Sequence, residues 1–582
     1  MKKSVFLLLL LVVFSILMQG CTGNPAEGVD TSDTPAVTDP VVQDIVIVGD
    51  GVSAYNIVVP EGSKSPIQVA ALTVRDAIAE ATGIKPEWMD DYLGKNETAP
   101  AKEILIGMTS RPETAAVMEN LPYGEYAIRI VSDKIVIVAW DDATLQEACE
   151  GFAAMVQDSA KEGSFTLAPD YTAHGIGYEQ LRTLPRYGTG LREVQFVDLE
   201  DDCYMLYAAR SSVEEFEAYA AAMEDAGYTQ FSNRQMGDNL SAIYTSEDKI
   251  IHAFYTAATR EARVAIEDAY DMTIFTEQPY EKICEPAVSL IGLENYGKDA
   301  ETGVYNQIGL SMVFRLEDGR FIVVDGGGYS TKTPSLLTAA LNQLAVDKKK
   351  ITVAAWILTH AHGDHTGGFL KFTENGIYKR IKVQNIIHHF STLAQYQGID
   401  EGPDEGRATQ CRNTFQKEYK DANVIKAHAG QVIRAGGMEV EMLYTYANLE
   451  PSRLEYHNTT SLVFRVTAQD NTVMVLGDAS NRASKHLTQI YGDYLKSDIV
   501  QLSHHGYTGG TVALYEDIDA EVVLWPTGVA SIDGRADARQ NREYNAKAVS
   551  LAKEVYIAGD TMYTLILPYT PDPEAQSKYF MD

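Results

Sequence analysis

Short apolar runs separated by polar turns recur along most of the chain, and two periodicities alternate among them. Within 44–168, the stretches 44–48, 103–107, 126–130 and 134–138 are rich in β-branched residues and read as strands. Between them, Val69, Leu72, Val74, Ile78 and Ala81 fall near helical spacing over 68–82, and a second helix is expected over 143–155. Residues 185–275 repeat the theme, with strands at 202–207, 242–244 and 250–255 and a helix over 212–226 opened by Ser212 as its cap. The tyrosines of these strands suit a core or a ligand groove. From 286 to 570 the strand-like runs become longer and more apolar, notably 320–324, 353–358, 461–466, 472–476, 498–502 and 521–525.

The polar positions bordering these last runs carry the chemistry. Directly after Val353-Ala354-Ala355-Trp356-Ile357-Leu358 comes Thr359-His360-Ala361-His362-Gly363-Asp364-His365-Thr366-Gly367-Gly368. Four metal-binding side chains in six positions suit zinc or its first-row neighbours, which take imidazole nitrogen and carboxylate oxygen.

The H-x-H-x-D-H pattern followed by Gly-Gly resembles the signature of the metallo-β-lactamase fold hydrolase superfamily. The family's later elements have counterparts in His457-Asn458-Thr459-Thr460 before a hairpin, Gly477-Asp478 after a strand, and Ser503-His504-His505-Gly506 after another. The resemblance implies two divalent ions, zinc with manganese or iron as alternatives. One would take His360, His362 and His457; the other Asp364, His365 and either His504 or His505; Asp478 would join them. A metal-bridging hydroxide would then attack the substrate, with Asp364 ligating and orienting and the spare histidine of His504 and His505 serving the leaving oxygen. Asp325, which ends the strand at 320–324 before three glycines, is implied as a support for the metal loop. The His-His-Gly ending and the Asn-x-x-Ser-Leu-Val element resemble the hydrolase domain of the competence protein ComEC and the phosphorylcholine esterases. His457 departs from the ComEC pattern and favours the esterase arrangement.

The expected architecture is multidomain α/β, a C-terminal αββα sandwich over 286–570 preceded by two small modules, α/β at 44–168 and α+β at 185–275. The first of these resembles the small accessory domain found before catalytic domains in some glycoside hydrolases, which implies glycan contact. Ahead of them, the basic start Met1-Lys2-Lys3, the apolar run 5–18 and Cys21 resemble a bacterial lipoprotein signal peptide over 1–21. The run falls short of the roughly 20 residues that span a bilayer. Lipidation is expected at Cys21, with 22–43, rich in Thr, Asp and Pro, as an unfolded tether. The chain is thus expected on the outer face of the cytoplasmic membrane or at the cell surface.

Charge narrows the substrate. With 81 acidic against 48 basic residues, a net charge of −33, the chain has no basic stripe to displace counterions, so an extended nucleic acid is a poor partner. Lys348-Lys349-Lys350 reads as the cationic end of a helix. A small or surface-polymer ester, a phosphodiester first, suits the site. A lactone, thioester or β-lactam stays open on the same metals, as does a surface glycan-binding role with an incidental metal domain. Cys149, Cys203, Cys284 and Cys411 form no C-x-x-C pair and read as buried thiols. His388 and His389 could reach the site mouth or be satisfied by backbone; His428 and His486 lack ligand-like neighbours in the sequence. Tyr396, Tyr419, Tyr444 and Tyr446 are candidates for pocket walls, with packing as the default.

Overall fold

The computed structural model describes residues 43–293, 309–329, 333–396, 399, 404, 406–527, 542–559 and 561–572. The signal peptide, Cys21 and nearly all of the tether lie outside the described residues. No helix among the described residues is long and apolar enough to cross a membrane.

A six-stranded sheet organises the first module in the order Trp88–Asp90, Asn56–Val59, Glu103–Ile106, Lys134–Ala139, Glu125–Val131 and Thr172–Ile176. Its first four strands are parallel, as the buried runs of isoleucine and valine require of a sheet covered on both faces. Helix Ser65–Thr82 opens with a proline in its first turn and stops at Gly83, whose φ of 74° ends the right-handed spiral. It packs against helix Asp142–Ser159, capped by Asp141 accepting from Thr144 N at 2.8 Å. The last strand lies beyond residue 168, so the sheet is longer than the sequence pattern suggested. Thr172–Ile176 alternates exposed and half-buried positions and includes Gly175, which hides it from an apolar-run reading.

The second module is an antiparallel sheet in the order Gln195–Asp198, Tyr204–Ala208, Glu261–Asp268, Lys249–Thr256, Asn239–Thr245 and Thr229–Met236. Helix Val213–Asp225 starts with a reciprocal capping box between Ser212 and Glu215. Tyr219, Tyr244 and Tyr255 are buried in a core that also takes in Leu105, Val136 and Trp140 of the first module. The tyrosines are therefore packing residues, and the two modules share one apolar interior.

Two mixed sheets face each other in the C-terminal part. One runs Asn423–Lys426, Asn385–His388, Thr352–Leu358, Phe321–Val324, Met312–Arg315, Ala287–Leu290, Tyr563–Ile566, with Lys382–Val383 alongside. The other runs Val432–Ala435, Met438–Tyr444, Val463–Ala468, Asn471–Val475, Ile499–Gln501, Val522–Trp525, Glu554–Ile557. Val324, Ile357, Phe464, Val475 and Leu524 belong to the core between them. Helices Thr333–Leu344, Gly363–Glu374 and Arg407–Glu418 contribute to a second core on one outer face. Asn481–Tyr491, Val512–Ile518 and Glu543–Leu551 contribute to a third on the other. This is the expected αββα sandwich. Lys348 to Lys350 lie past the end of Thr333–Leu344 in a turn where Asp347 Oδ1 accepts from Lys349 N at 2.9 Å, so they form no helix terminus.

The second module is seated on this sandwich. Lys426 Nζ reaches Asp201 at 2.9 Å, Arg234 reaches Glu441 at 2.8 Å, and Arg263 donates to Glu450 O at 2.9 Å. Met236 and Phe254 enter the sandwich's outer core.

Candidate metal centre

The sequence-selected ligands lie in the turns that leave or enter strands of the sandwich, close to one another. Strand Thr352–Leu358 delivers Thr359 to His362, and His362 caps helix Gly363–Glu374. Asp364 and His365 follow in its first turn, where the positive helix end favours the Asp364 carboxylate. His457 opens a 3₁₀ turn ahead of strand Val463–Ala468; Asp478 follows strand Asn471–Val475, and His504 and His505 follow Ile499–Gln501.

Glycines let these pieces touch. A Cβ on Gly368 would lie 1.8 Å from Gly326 O, and one on Gly326 would lie 2.5 Å from Phe369 N. In their absence, Gly326 N donates to His365 O and Gly368 N to Gly327 O, both at 2.7 Å. The Gly-Gly of each segment is a condition of close backbone approach rather than of turning alone.

Asp325, fully buried, accepts from Thr359 N, Thr359 Oγ1 and His365 Nδ1, each at 2.7 Å. That last bond places the proton of His365 on Nδ1 and turns Nε2 toward Asp478 Oδ2, 3.1 Å away. His505 Nε2 lies 3.3 Å from Asp364 Oδ2 and 3.5 Å from Asp478 Oδ2. Donor atoms of Asp364, His365, Asp478 and His505 all fall within 4.8 Å of one another. On the other side of Asp478, the rings of His360 and His362 are 4.7 Å apart, those of His362 and His457 5.7 Å, and His360 Nε2 is 4.0 Å from Asp478 Oδ2. Two donor sets thus flank one aspartate.

His504 and His505 differ in position. His505 is buried within the donor set, whereas His504 Nε2 stands 3.7 Å from Asp478 Oδ2 and its Nδ1 pairs with Thr508 Oγ1 at 2.7 Å. Both have positive φ, 49° and 50°, as does Asp325 at 53°. Such backbone is costly for a side chain with a Cβ and persists only where surroundings enforce it. Here His504 N donates to Gly477 O, Tyr507 N to His504 O and Trp525 Nε1 to His505 O. The strain aims two adjacent imidazoles toward one aspartate, and no sequence pattern announces it.

The charges want a cation. Burial alone would raise the Asp364 and Asp478 carboxyls, yet the surrounding imidazoles outweigh it and hold both below the usual carboxylate range. Burial would lower His365 and His505, but Asp478 and Asp364 carry them up, His505 to about 9. His360 goes the other way, pushed well below its ordinary value by burial and by His365 and His362. Among the described residues, His360 Nε2, His365 Nε2, His505 Nε2 and Asp478 Oδ1 are buried without a hydrogen-bond partner. Inward nitrogen and oxygen atoms of this kind, where protons now stand in for positive charge, fit divalent metal.

The other candidates separate. Tyr396 sets its ring 4.3 Å from that of His457 and so borders the site. Tyr419 stacks on Phe369, while Tyr444 and Tyr446 donate to Thr459 O and Ser452 O; all three pack. His388 and His389 are buried, the latter with Nδ1 on Ala427 O at 2.7 Å, so the backbone alternative describes them. His486 is buried, its ring 6.1 Å from that of Tyr444. His428 does have ligand-type neighbours: Cys203 and Glu267 of the second module lie against it. Cys149, Cys203 and Cys411 are buried free thiols; Cys284 is half-buried and also free.

The model of the metallo-β-lactamase superfamily matches residues 305–525. These residues form a metallo-β-lactamase domain. Members of the superfamily are generally hydrolases, and the fold usually binds two metal ions. No curated protein matches the chain. Among solved structures, it is similar to the metallo-β-lactamase fold protein YhfI from Bacillus subtilis, at 15% identity and a TM-score of 0.30, covering 48% of this chain and all of that one. It is also similar to a diphosphatase of the PhnP family, at 14% identity and a TM-score of 0.27, covering 48% of this chain and 99% of that one. CmlA, a diiron β-hydroxylase from Streptomyces venezuelae, has 14% identity and a TM-score of 0.29, with coverage of 50% and 55%.

Proposed function

We propose that the metallo-β-lactamase domain is a dinuclear metal hydrolase of phosphodiester or related ester bonds. In this reading the protein is exported, held by lipid on Cys21 at the outer face of the cytoplasmic membrane or at the cell surface, and acts on small or surface-polymer esters. The observation that carries the hydrolase reading is the pair of donor sets around Asp478, in which His360 Nε2, His365 Nε2 and His505 Nε2 are buried without a hydrogen-bond partner.

His360, His362 and His457 would hold one ion and Asp364, His365 and His505 the other, with Asp478 shared. Bound divalent cations supply Lewis acidity and an activated water at neutral pH. The protein groups do the rest. Asp325 fixes the tautomer and direction of His365. His504, at the edge of the donor set with Nδ1 held by Thr508, is placed to give a proton from Nε2 to the leaving oxygen. Tyr396 walls the substrate side of His457. The preference for a phosphodiester over a carbonyl substrate rests on the doubled His504-His505 ending and on the local positive charge of a loaded centre in an otherwise acidic chain.

The test is metal content together with turnover of bis(p-nitrophenyl) phosphate, a lactone and a cephalosporin by the loaded full chain, beside His362→Ala. Two equivalents of metal at these ligands and phosphodiester turnover that collapses in His362→Ala are expected. Lactone or cephalosporin turnover without phosphodiester turnover would reassign the substrate, and a loaded protein inert toward all three would remove the enzymatic reading.

A further inference from the structure

A second set of ligand-type side chains sits where the antiparallel module meets the metallo-β-lactamase domain. Cys203 immediately precedes strand Tyr204–Ala208, Glu267 lies on Glu261–Asp268 and His252 on Lys249–Thr256, all in the module's sheet. His428 lies just past Asn423–Lys426, the edge strand of the sandwich. Cys203, separated from His428 by 225 positions, brings Sγ to 4.0 Å from its Nε2. Glu267 Oε1 is 3.5 Å from the same nitrogen, and the three donor atoms fall within 4.8 Å of one another. We propose that Cys203, Glu267 and His428 bind a divalent transition metal, zinc by preference, that ties the second module to the metallo-β-lactamase domain.

The spacing suits it. Bonds of about 2.0–2.3 Å in tetrahedral array put donor atoms roughly 3.3–3.8 Å apart, so the observed separations need only a small closure. So does the charge. Among the described residues no lysine or arginine nitrogen lies within ion-pair distance of Glu267, whose neighbours are the imidazoles of His252 and His428 and the Cys203 thiol. One thiolate and one carboxylate neutralise a divalent cation, removing the penalty of a net charge in a buried interface. On loading, the thiol gives its proton to solvent. The outer groups are those a ligating carboxylate uses: His252 Nε2 is 2.7 Å from Glu267 Oε1, and Tyr270 hydrogen-bonds Glu267 while accepting from Gln431 Nε2 at 3.1 Å. The His252 and His428 rings stack at 4.2 Å, which fixes the direction of the His428 nitrogen. A surface cleft of about 570 Å³ bordered by Asp201, Glu267, Tyr270 and Lys426 gives a cation a way in. Cys203, Glu267 and His428, with His252 beside them, are each at least nine-tenths buried, so the set is no surface accident.

Sulfur separates this site from the histidine-aspartate centre. The full chain, stripped with chelator and titrated with cobalt(II), is expected to develop a near-ultraviolet thiolate-to-cobalt band whose final intensity corresponds to one cobalt-bound thiolate per chain. The band should vanish in Cys203→Ser and persist in His362→Ala. X-ray absorption of the unmutated zinc-loaded chain should show a sulfur shell near 2.3 Å, a readout that needs no variant to fold. Absence of both the band and the shell, or a band unchanged in Cys203→Ser, would overturn the proposal and leave a hydrogen-bonded polar contact. Neither readout depends on esterase activity, so the outcome is independent of the substrate reading.

Discussion

Two clusters of histidine and carboxylate occur among the described residues, and they are built in opposite ways. Around Asp478, four ligand candidates come from six consecutive residues, and the rest sit at ends of neighbouring strands of one domain. At the module interface, each residue comes from a different element and the chain between Cys203 and His428 is most of a module plus half a sandwich. A loop leaving a strand can present several side chains to one point and remain adaptable, which suits a centre that must admit substrate. An interface assembled from distant strands can do so only after both parts have folded and docked, which suits a clasp. The first cluster keeps a partly open edge, with the Asp364 side chain 43% exposed; in the second every ligand side chain is buried.

The comparison breaks most severely at Asp478. Asp478→Asn keeps the shape but withdraws the charge that both donor sets face, so phosphodiester turnover should fall by more than the roughly 10–100-fold typical of losing an outer-shell partner. The thiolate-to-cobalt band at Cys203 should survive unchanged. Parallel steady-state kinetics and cobalt titration read both; loss of the band along with activity would mean that the clusters are not separate.

Asp325→Asn probes one layer out. An amide presents a different donor pattern to Thr359 N, Thr359 Oγ1 and His365 Nδ1, so the imidazole loses its fixed direction. Activity and metal affinity at the aspartate centre should drop by about 10–100-fold. A smaller change in both, measured by kinetics and competitive chelation, would make Asp325 a support of the fold alone.

The same contrast explains what the sequence could show. The αββα core was legible because buried strands such as Thr352–Leu358 are unbroken apolar runs, and the metal loop because its ligands are adjacent. Thr172–Ile176 was not, since a half-exposed edge strand with Gly175 carries no apolar signature. The positive φ of His504 and His505 was not, because neither residue is a glycine and the constraint comes from Gly477, Tyr507 and Trp525. His428 looked isolated because its neighbours are set by docking, which local periodicity does not encode. Tyr396 differed from Tyr419 only through the placement of its short helix, Leu393–Tyr396, beside His457.

The smallest expected effect lies at Glu450, which connects the two regions. Its carbonyl accepts from Arg263 of the second module, and its carboxyl accepts from Gln395, the residue beside Tyr396. Burial, only partly offset by Gln395 and Arg263, raises the Glu450 carboxyl to about 7. Below the ordinary carboxylate value both folded and unfolded chains are protonated and burial has no charge penalty. As pH rises through the window up to about 7, the unfolded chain ionises first, so stability is lost; above it the penalty is constant. Glu450→Gln keeps an acceptor for Gln395 and removes the charge. It should leave thermal unfolding at pH 5 nearly unchanged and stabilise the protein at pH 8 by about 1–2 kcal/mol, a value reduced from the full shift to allow for relaxation. Phosphodiester turnover should stay near that of the parent protein, because the bond holding the Tyr396 segment survives. Equal unfolding midpoints at both pH values would show that the carboxyl is solvated and that Gln395 holds Tyr396 without help from the module side.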